Sequence, residues 1–177
     1  GSQGFVNVNF GQFWQLDPNA GASSFAPNQY DFFSTMIHEF THAVGFSSLI
    51  NQDGSATLGG KNWASFDQYV ADGAGALIDS NFDMNTSRWS TASVGGTSPA
   101  DGLFFVGPNA MQANGGAPVG LYSPTVWQEG SSGSHLDTDN PTFASMLMKH
   151  ATPDGLGPRT FSAIEVGMLK DIGYVNA

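Results

Sequence analysis

The segment His38-Glu39-Phe40-Thr41-His42 constrains this chain more than any other, because its two histidines stand four apart inside a run with helical apolar spacing. Phe33, Met36, Ile37, Phe40 and Val44 define one face of that helix, and Ser34, Thr35, His38, His42 and Gly45 fall on the opposite one. Positions i and i+4 of a helix lie about 40° apart in projection, so His38 and His42 can offer their imidazoles to a single ion. Glu39 is turned about 100° from His38, which sets it beside such an ion, outside the coordination shell, where it can hold a water that the metal activates. A solvated surface helix would carry lysines and glutamates opposite its apolar stripe. Residues 29–48 contain no Lys or Arg, and Asp31 and Glu39 are their only acids. The expectation is a helix buried on both sides with its polar face turned into a cleft. It should begin between Asn28 and Asp31, either of which can cap it. Buried histidines need partners, since buried polar groups without one are costly, and a shared metal ion supplies one.

A catalytic metal needs a third protein ligand and one open position. The chain has no cysteine, and beyond Glu39 its only glutamates are Glu129 and Glu165. A glutamate ligand about twenty residues after the second histidine, as in thermolysin-like enzymes, is therefore excluded. The downstream histidines are His135 and His150.

The segment from His38 to Phe46 resembles the HExxHxxG motif of the metzincin metallopeptidases, in which the glycine, here Gly45, lets the chain turn sharply below the metal. Most metzincins carry the third histidine three residues after that glycine, where this chain has Ser48. The leishmanolysin-like branch is similar to this chain in placing a long insertion before the third histidine: His135 lies 93 residues beyond His42. That branch then has a Leu-Met pair forming a methionine turn beneath the zinc, matched by Leu147-Met148. It also has a closing helix ending in Asp-x-Gly-Tyr/Phe, matched by Phe161 to Tyr174. The resemblance covers the active-site helix and the last 45 or so residues and leaves residues 49–130 without a named motif. It implies a zinc endopeptidase in which His38, His42 and His135 hold Zn2+, Glu39 is general base and Met148 lies in the turn under the metal. His150 stands two positions after Met148, where astacin-like and serralysin-like metzincins carry a tyrosine that contacts the metal or the transition state. It can play that catalytic part, replace His135 as ligand, or stand by. Met146 is the alternative to Met148.

The implied fold is α+β: a metzincin-like zinc peptidase domain with a small twisted sheet, an active-site helix, and an irregular C-terminal half with a closing helix. Residues 1–177 form a single catalytic domain, with 49–130 as a long insertion between the second and third ligands. Phe5 to Phe10 alternates as a strand beside the active-site helix. Trp63 to Val70 reads as a short helix or strand with Trp63, Phe66, Tyr69 and Val70 buried. Leu103–Val106 and Val119–Tyr122 read as strands between glycine-rich turns. Ser162 and Glu165 form a capping box opening the last helix, whose Ile164, Met168, Leu169 and Ile172 pack inward before Gly173 ends it.

Five basic residues against fifteen acidic ones give a net charge of −10, which argues against nucleic acid or an anionic membrane as partner. A protein or peptide substrate is the expected partner. No apolar run approaches the ~18 residues of a membrane span. Only 11% of residues are charged, a composition that fits a secreted, extracellular or periplasmic protein. Gly1-Ser2 reads as a processed end or a cloning remnant of a mature domain from a longer precursor. Asp137-Thr138-Asp139-Asn140 and Asp72-Gly73 carry oxygen ligands of the kind Ca2+ prefers, without an EF-hand or nonapeptide repeat. The competing function classes are a secreted binding module with a structural zinc, which needs four protein ligands, and a metallohydrolase of a non-peptide substrate.

Overall fold

The computed structural model describes residues 6–96 and 101–175. Its organising element is helix α1, Phe32–Ala43, whose N-cap is Asp31: the carboxylate accepts from the backbone N–H of Phe33 at 3.1 Å and of Ser34 at 3.3 Å. Asp31 is fully buried and paired with Arg159, Nε to Oδ2 at 2.8 Å and Nη2 to Oδ1 at 3.0 Å. That fork fixes a distant C-terminal segment against the start of α1. At the other end Gly45 has a φ of +106°, the N–H of Gly45 bonds the His42 carbonyl at 2.9 Å, and that of Phe46 bonds the Thr41 carbonyl at 3.2 Å. This is a Schellman termination, and it needs the left-handed conformation that glycine adopts without strain.

The polar face of α1 turns inward as expected, but the apolar face, expected to be buried too, is largely exposed. The buried residues of α1 are Ser34, His38 and Thr41, whereas Phe40 is 56% and Val44 49% exposed. Periodicity shows that two faces differ, not which one is covered. Here the polar face can turn inward because its groups find partners, Thr41 Oγ1 donating to the Ile37 carbonyl at 2.6 Å. Of the apolar stripe, Ile37 packs against the core.

The strand expected over 5–10 is absent from its described part. Residues 6–9 have no regular structure, and Phe5 lies outside the described residues. Asn9 instead turns the chain, its side-chain oxygen accepting from Gly11 N–H at 2.9 Å and its carbonyl from Gln12 N–H at 3.1 Å. Such local bonds compete with strand pairing. The N-terminal part contributes only a parallel pair, β1 (Trp14–Gln15) with β2 (Tyr30–Asp31).

The larger sheet comes from the middle of the chain. Strands β3 (Val70–Asp72), β4 (Gly75–Ala76), β5 (Leu103–Phe105) and β6 (Val119–Leu121) form an antiparallel sheet in the order β4-β3-β5-β6. The segment 49–130 is thus the seat of the sheet and of much of the core, including Phe66, Trp89, Leu103 and Phe105. The two strands expected around Leu103 and Val119 form, and the segment from Trp63 becomes a single 3-10 turn, Asp67–Tyr69, leading into β3. Two short helices, α2 (Thr86–Ala92) and α3 (Pro108–Ala113), complete this region. The result is a mixed α+β fold.

From residue 122 to residue 162 the chain runs in turns and isolated bridges and then enters the closing helix α4, Ala163–Asp171. The expected capping box forms: Ser162 Oγ accepts from Glu165 N–H at 3.2 Å and Glu165 Oε2 from Ser162 N–H at 2.7 Å. Helix α4 packs closely on α3 because residue 167 is glycine; a Cβ there would stand 2.8 Å from Ala110 Cα. The Asp-x-Gly-Tyr ending joins three elements. Asp171 accepts from the N–H groups of Asn109 at 3.0 Å and Ala110 at 2.9 Å, capping α3, and Tyr174 Oη donates to the Val44 carbonyl at 2.7 Å where α1 ends.

Candidate metal centre

His38 and His42 leave the inward face of α1, and His135 arrives from the loop after β6. That loop is fixed to the sheet edge by bridges, Leu121 to Leu136 antiparallel and Leu136 to Lys149 parallel. The next residue after the third histidine therefore extends the sheet, and the sheet continues to the residue after Met148. Three imidazole nitrogens meet: His42 Nε2 stands 3.0 Å from His38 Nε2 and 3.0 Å from His135 Nε2, and His38 and His135 Nε2 are 3.2 Å apart. His38 and His135 are buried and His42 is half-buried.

Each ring turns its other nitrogen to a backbone carbonyl. His38 Nδ1 bonds Leu147 O at 2.9 Å, His42 Nδ1 bonds Phe46 O at 2.7 Å, and His135 Nδ1 bonds Ser131 O at 3.0 Å. A carbonyl only accepts, so every Nδ1 carries the proton and every Nε2 of a neutral ring presents a lone pair. Burial, foremost, and the neighbouring His38 lower the His42 pKa to about 4, and burial with smaller contributions from its histidine neighbours lowers that of His135 to about 3. Neutral rings at His42 and His135 turn their lone pairs towards each other and towards His38 Nε2. That arrangement is repulsive unless a cation sits among them.

The spacing suits one. Nitrogens about 2.0–2.1 Å from a tetrahedral ion lie about 3.3–3.4 Å from one another, close to the separations within this cluster. Among the described residues these three side chains are the only group of His, Asp or Glu placed to share an ion, so the position opposite them has no fourth such ligand.

Glu39 is half-buried on α1, is not in that group, and its carboxylate has no hydrogen-bond or ion-pair partner among the described residues. His150 is also outside it. Its Nδ1 meets Thr138 Oγ1 at 3.0 Å, and its ring stacks on Tyr122 with centroids 3.7 Å apart and planes 4° from parallel. Of the two downstream histidines, the structure brings His135 to the cluster. Met148 is fully buried; its N–H donates to Glu165 Oε1 at 2.7 Å and its carbonyl accepts from Leu136 N–H at 2.8 Å. Met146 is only partly buried and touches Ser162 Oγ through its sulfur at 3.3 Å.

The acidic loops do not gather three carboxylates. Asp72 is paired with Arg88, whose Nε lies 2.8 Å from Oδ2. Asp137 Oδ1 accepts from Asp139 N–H at 3.1 Å in a local turn. The calcium expectation therefore gains no cage among the described residues.

What the sequence did not disclose is the set of supports. The carbonyls of Phe46, Ser131 and Leu147 are main-chain groups and leave no residue signature. Glu165 is legible as a helix cap but not as the acceptor for Met148. Asp67, fully buried, accepts from Leu49 N–H at 3.0 Å and Ala64 N–H at 2.9 Å and so holds the strap beyond Phe46; only its burial marks it. No helix among the described residues is long and apolar enough to cross a membrane. No family model matches the chain, and neither a curated protein nor a solved structure is found to match it.

Proposed function

We propose that this chain is a secreted zinc-dependent endopeptidase of the metzincin type, leishmanolysin-like in the distance to its third histidine. The observation that carries the reading is the convergence of three histidine Nε2 atoms with no fourth protein ligand among the described residues, with an unpartnered Glu39 following His38 on the same helix. A structural zinc would be closed by four protein ligands, whereas three with an open position suit catalysis. When bound, zinc polarises a carbonyl and brings the pKa of water towards about 7.

The residues of the chain do the rest. His38, His42 and His135 hold the ion through Nε2, each oriented by the carbonyl at its Nδ1. Glu39, free of internal partners, takes a proton from the attacking water onto its carboxylate and passes it to the leaving amine. Met148 supports the site from beneath through its backbone bonds to Leu136 and Glu165. His150, held by Thr138 and Tyr122, donates from its remaining ring nitrogen to developing negative charge.

The test combines metal analysis with a peptide-library digest of the wild type and Glu39→Gln. Wild type should carry one zinc and cleave peptides, and the variant should keep the zinc and lose about 10²- to 10⁴-fold in rate. Full zinc with undiminished turnover in the variant would remove Glu39 from the mechanism.

A further inference from the structure

The two backbone segments that orient His42 and His135 also wall a cavity of about 550 Å³. One wall is the strap from Ser47 to Gln52, which begins directly after the Phe46 carbonyl bonded to His42. The other runs from Trp127 to Ser134, includes the loop whose Ser131 carbonyl holds His135, and ends one residue before that ligand. Ser134 Oγ ties the walls together, accepting from Ser48 N–H at 3.1 Å and lying 3.3 Å from Ser47 Oγ. A side chain seated here is thus held in fixed relation to the histidines by the same segments that hold the rings.

The chemistry of the lining is selective. Hydroxyl and amide side chains line most of it, no Lys, Arg or His does, and its one ionisable group is Glu129. That carboxylate is exposed and has no hydrogen-bond or ion-pair partner among the described residues. Trp127 stands two residues away in the same wall, braced by Trp89 with ring centroids 5.9 Å apart. An unpaired carboxylate and an indole that line one cavity suit a cationic side chain, which gains Coulomb attraction from one and cation–π attraction from the other. The molecule's net charge of −10 draws cations to the surface in the same sense.

We propose that this cavity is a substrate subsite taking an arginine or lysine side chain, with Glu129 as the residue that sets the preference. The proposal rests on the peptidase reading for its consequence in turnover but not for binding. Two measurements separate them. The first is kcat/KM on peptide sets that place arginine, norleucine or glutamate at each position around the cleaved bond. The second is equilibrium binding of the same peptides to zinc-loaded Glu39→Gln, which needs no hydrolysis.

At one position arginine should exceed norleucine by about five- to tenfold in both measurements, a size set by one exposed ion pair and one cation–π contact. Glu129→Gln should bring that ratio close to one, and Glu129→Lys should turn it towards glutamate. Since Glu129 is exposed, both variants should melt with the wild type. Cleavage without any arginine preference, or a preference untouched by both substitutions, overturns the subsite and leaves the peptidase reading standing. Glu129-dependent arginine binding without cleavage overturns the peptidase reading and leaves the subsite.

Discussion

The Nδ1 of His38 donates to the carbonyl oxygen of Leu147 at 2.9 Å, joining residues 109 positions apart in the chain. Through this bond the orientation of the first histidine depends on the segment that carries Met148. Because Met148 in turn bonds Leu136 and Glu165, one short stretch links helix α1, the third histidine and the closing helix.

The two downstream histidines should separate cleanly. Loss of an outer-shell partner typically weakens metal binding 10- to 100-fold, so removing a ligand should do more: His135→Ala should lower zinc affinity by over about 100-fold. His150→Ala should keep the metal and slow turnover. Zinc titration by calorimetry beside peptide kinetics checks both, and zinc loss confined to the His150 variant would make His150 the ligand in place of His135.

Met148 is fully buried in the core cluster, so its volume should matter more than its sulfur. Met148→Leu should cost less than about 1.5 kcal/mol and keep zinc. Met148→Ala should cost roughly 2–5 kcal/mol. Denaturant titrations read the difference, and equal midpoints for all three proteins would make Met148 peripheral.

Glu165 uses both carboxylate oxygens as acceptors, Oε1 from Met148 N–H and Oε2 from Ser162 N–H, each at 2.7 Å. A glutamine has the same shape but only one acceptor, and its NH₂ would face an N–H. Glu165→Gln should therefore destabilise by about 1–3 kcal/mol and weaken zinc binding. An unchanged melting temperature with unchanged zinc affinity would contradict the linkage.

Acid should unfold the metal-free protein earlier than the metal-loaded one. Folded His42 titrates near 4 and His135 near 3, while an unfolded histidine titrates near 6.5. Between these values the unfolded chain binds protons that the folded chain refuses, so stability falls as pH drops below about 6.5 and is whole above it. Melting temperatures of chelator-treated protein should be level above pH 7 and decline steadily below pH 6.5. A flat profile to pH 4 would mean that the rings are not held neutral by burial.

The parts of the fold that could be read from the sequence are those fixed by local chemistry. Two histidines four apart, an aspartate before a helix, the Ser162 and Glu165 pair, and a glycine after Val44 each act within a turn or two of themselves. The rest depended on partners far along the chain. Alternation over Phe5 to Phe10 could not reveal that Asn9 would bend the backbone, nor could the stripe through Phe40 reveal that it would face outward. Of the sheet in the motif-free middle, the strands around Leu103 and Val119 were legible between their glycine-rich turns, whereas β3 and β4, three and two residues long, are too short to carry a period.

The acceptors that hold the three rings are carbonyls of residues 46, 131 and 147, and every amino acid has a carbonyl. Side chains at those positions answer to the core or to solvent, not to the ligands. At these three positions a substitution that keeps the path of the backbone keeps the acceptor. The identity of residues 46, 131 and 147 is thus set by what their side chains touch, while their service to the three rings is set by the course of the main chain.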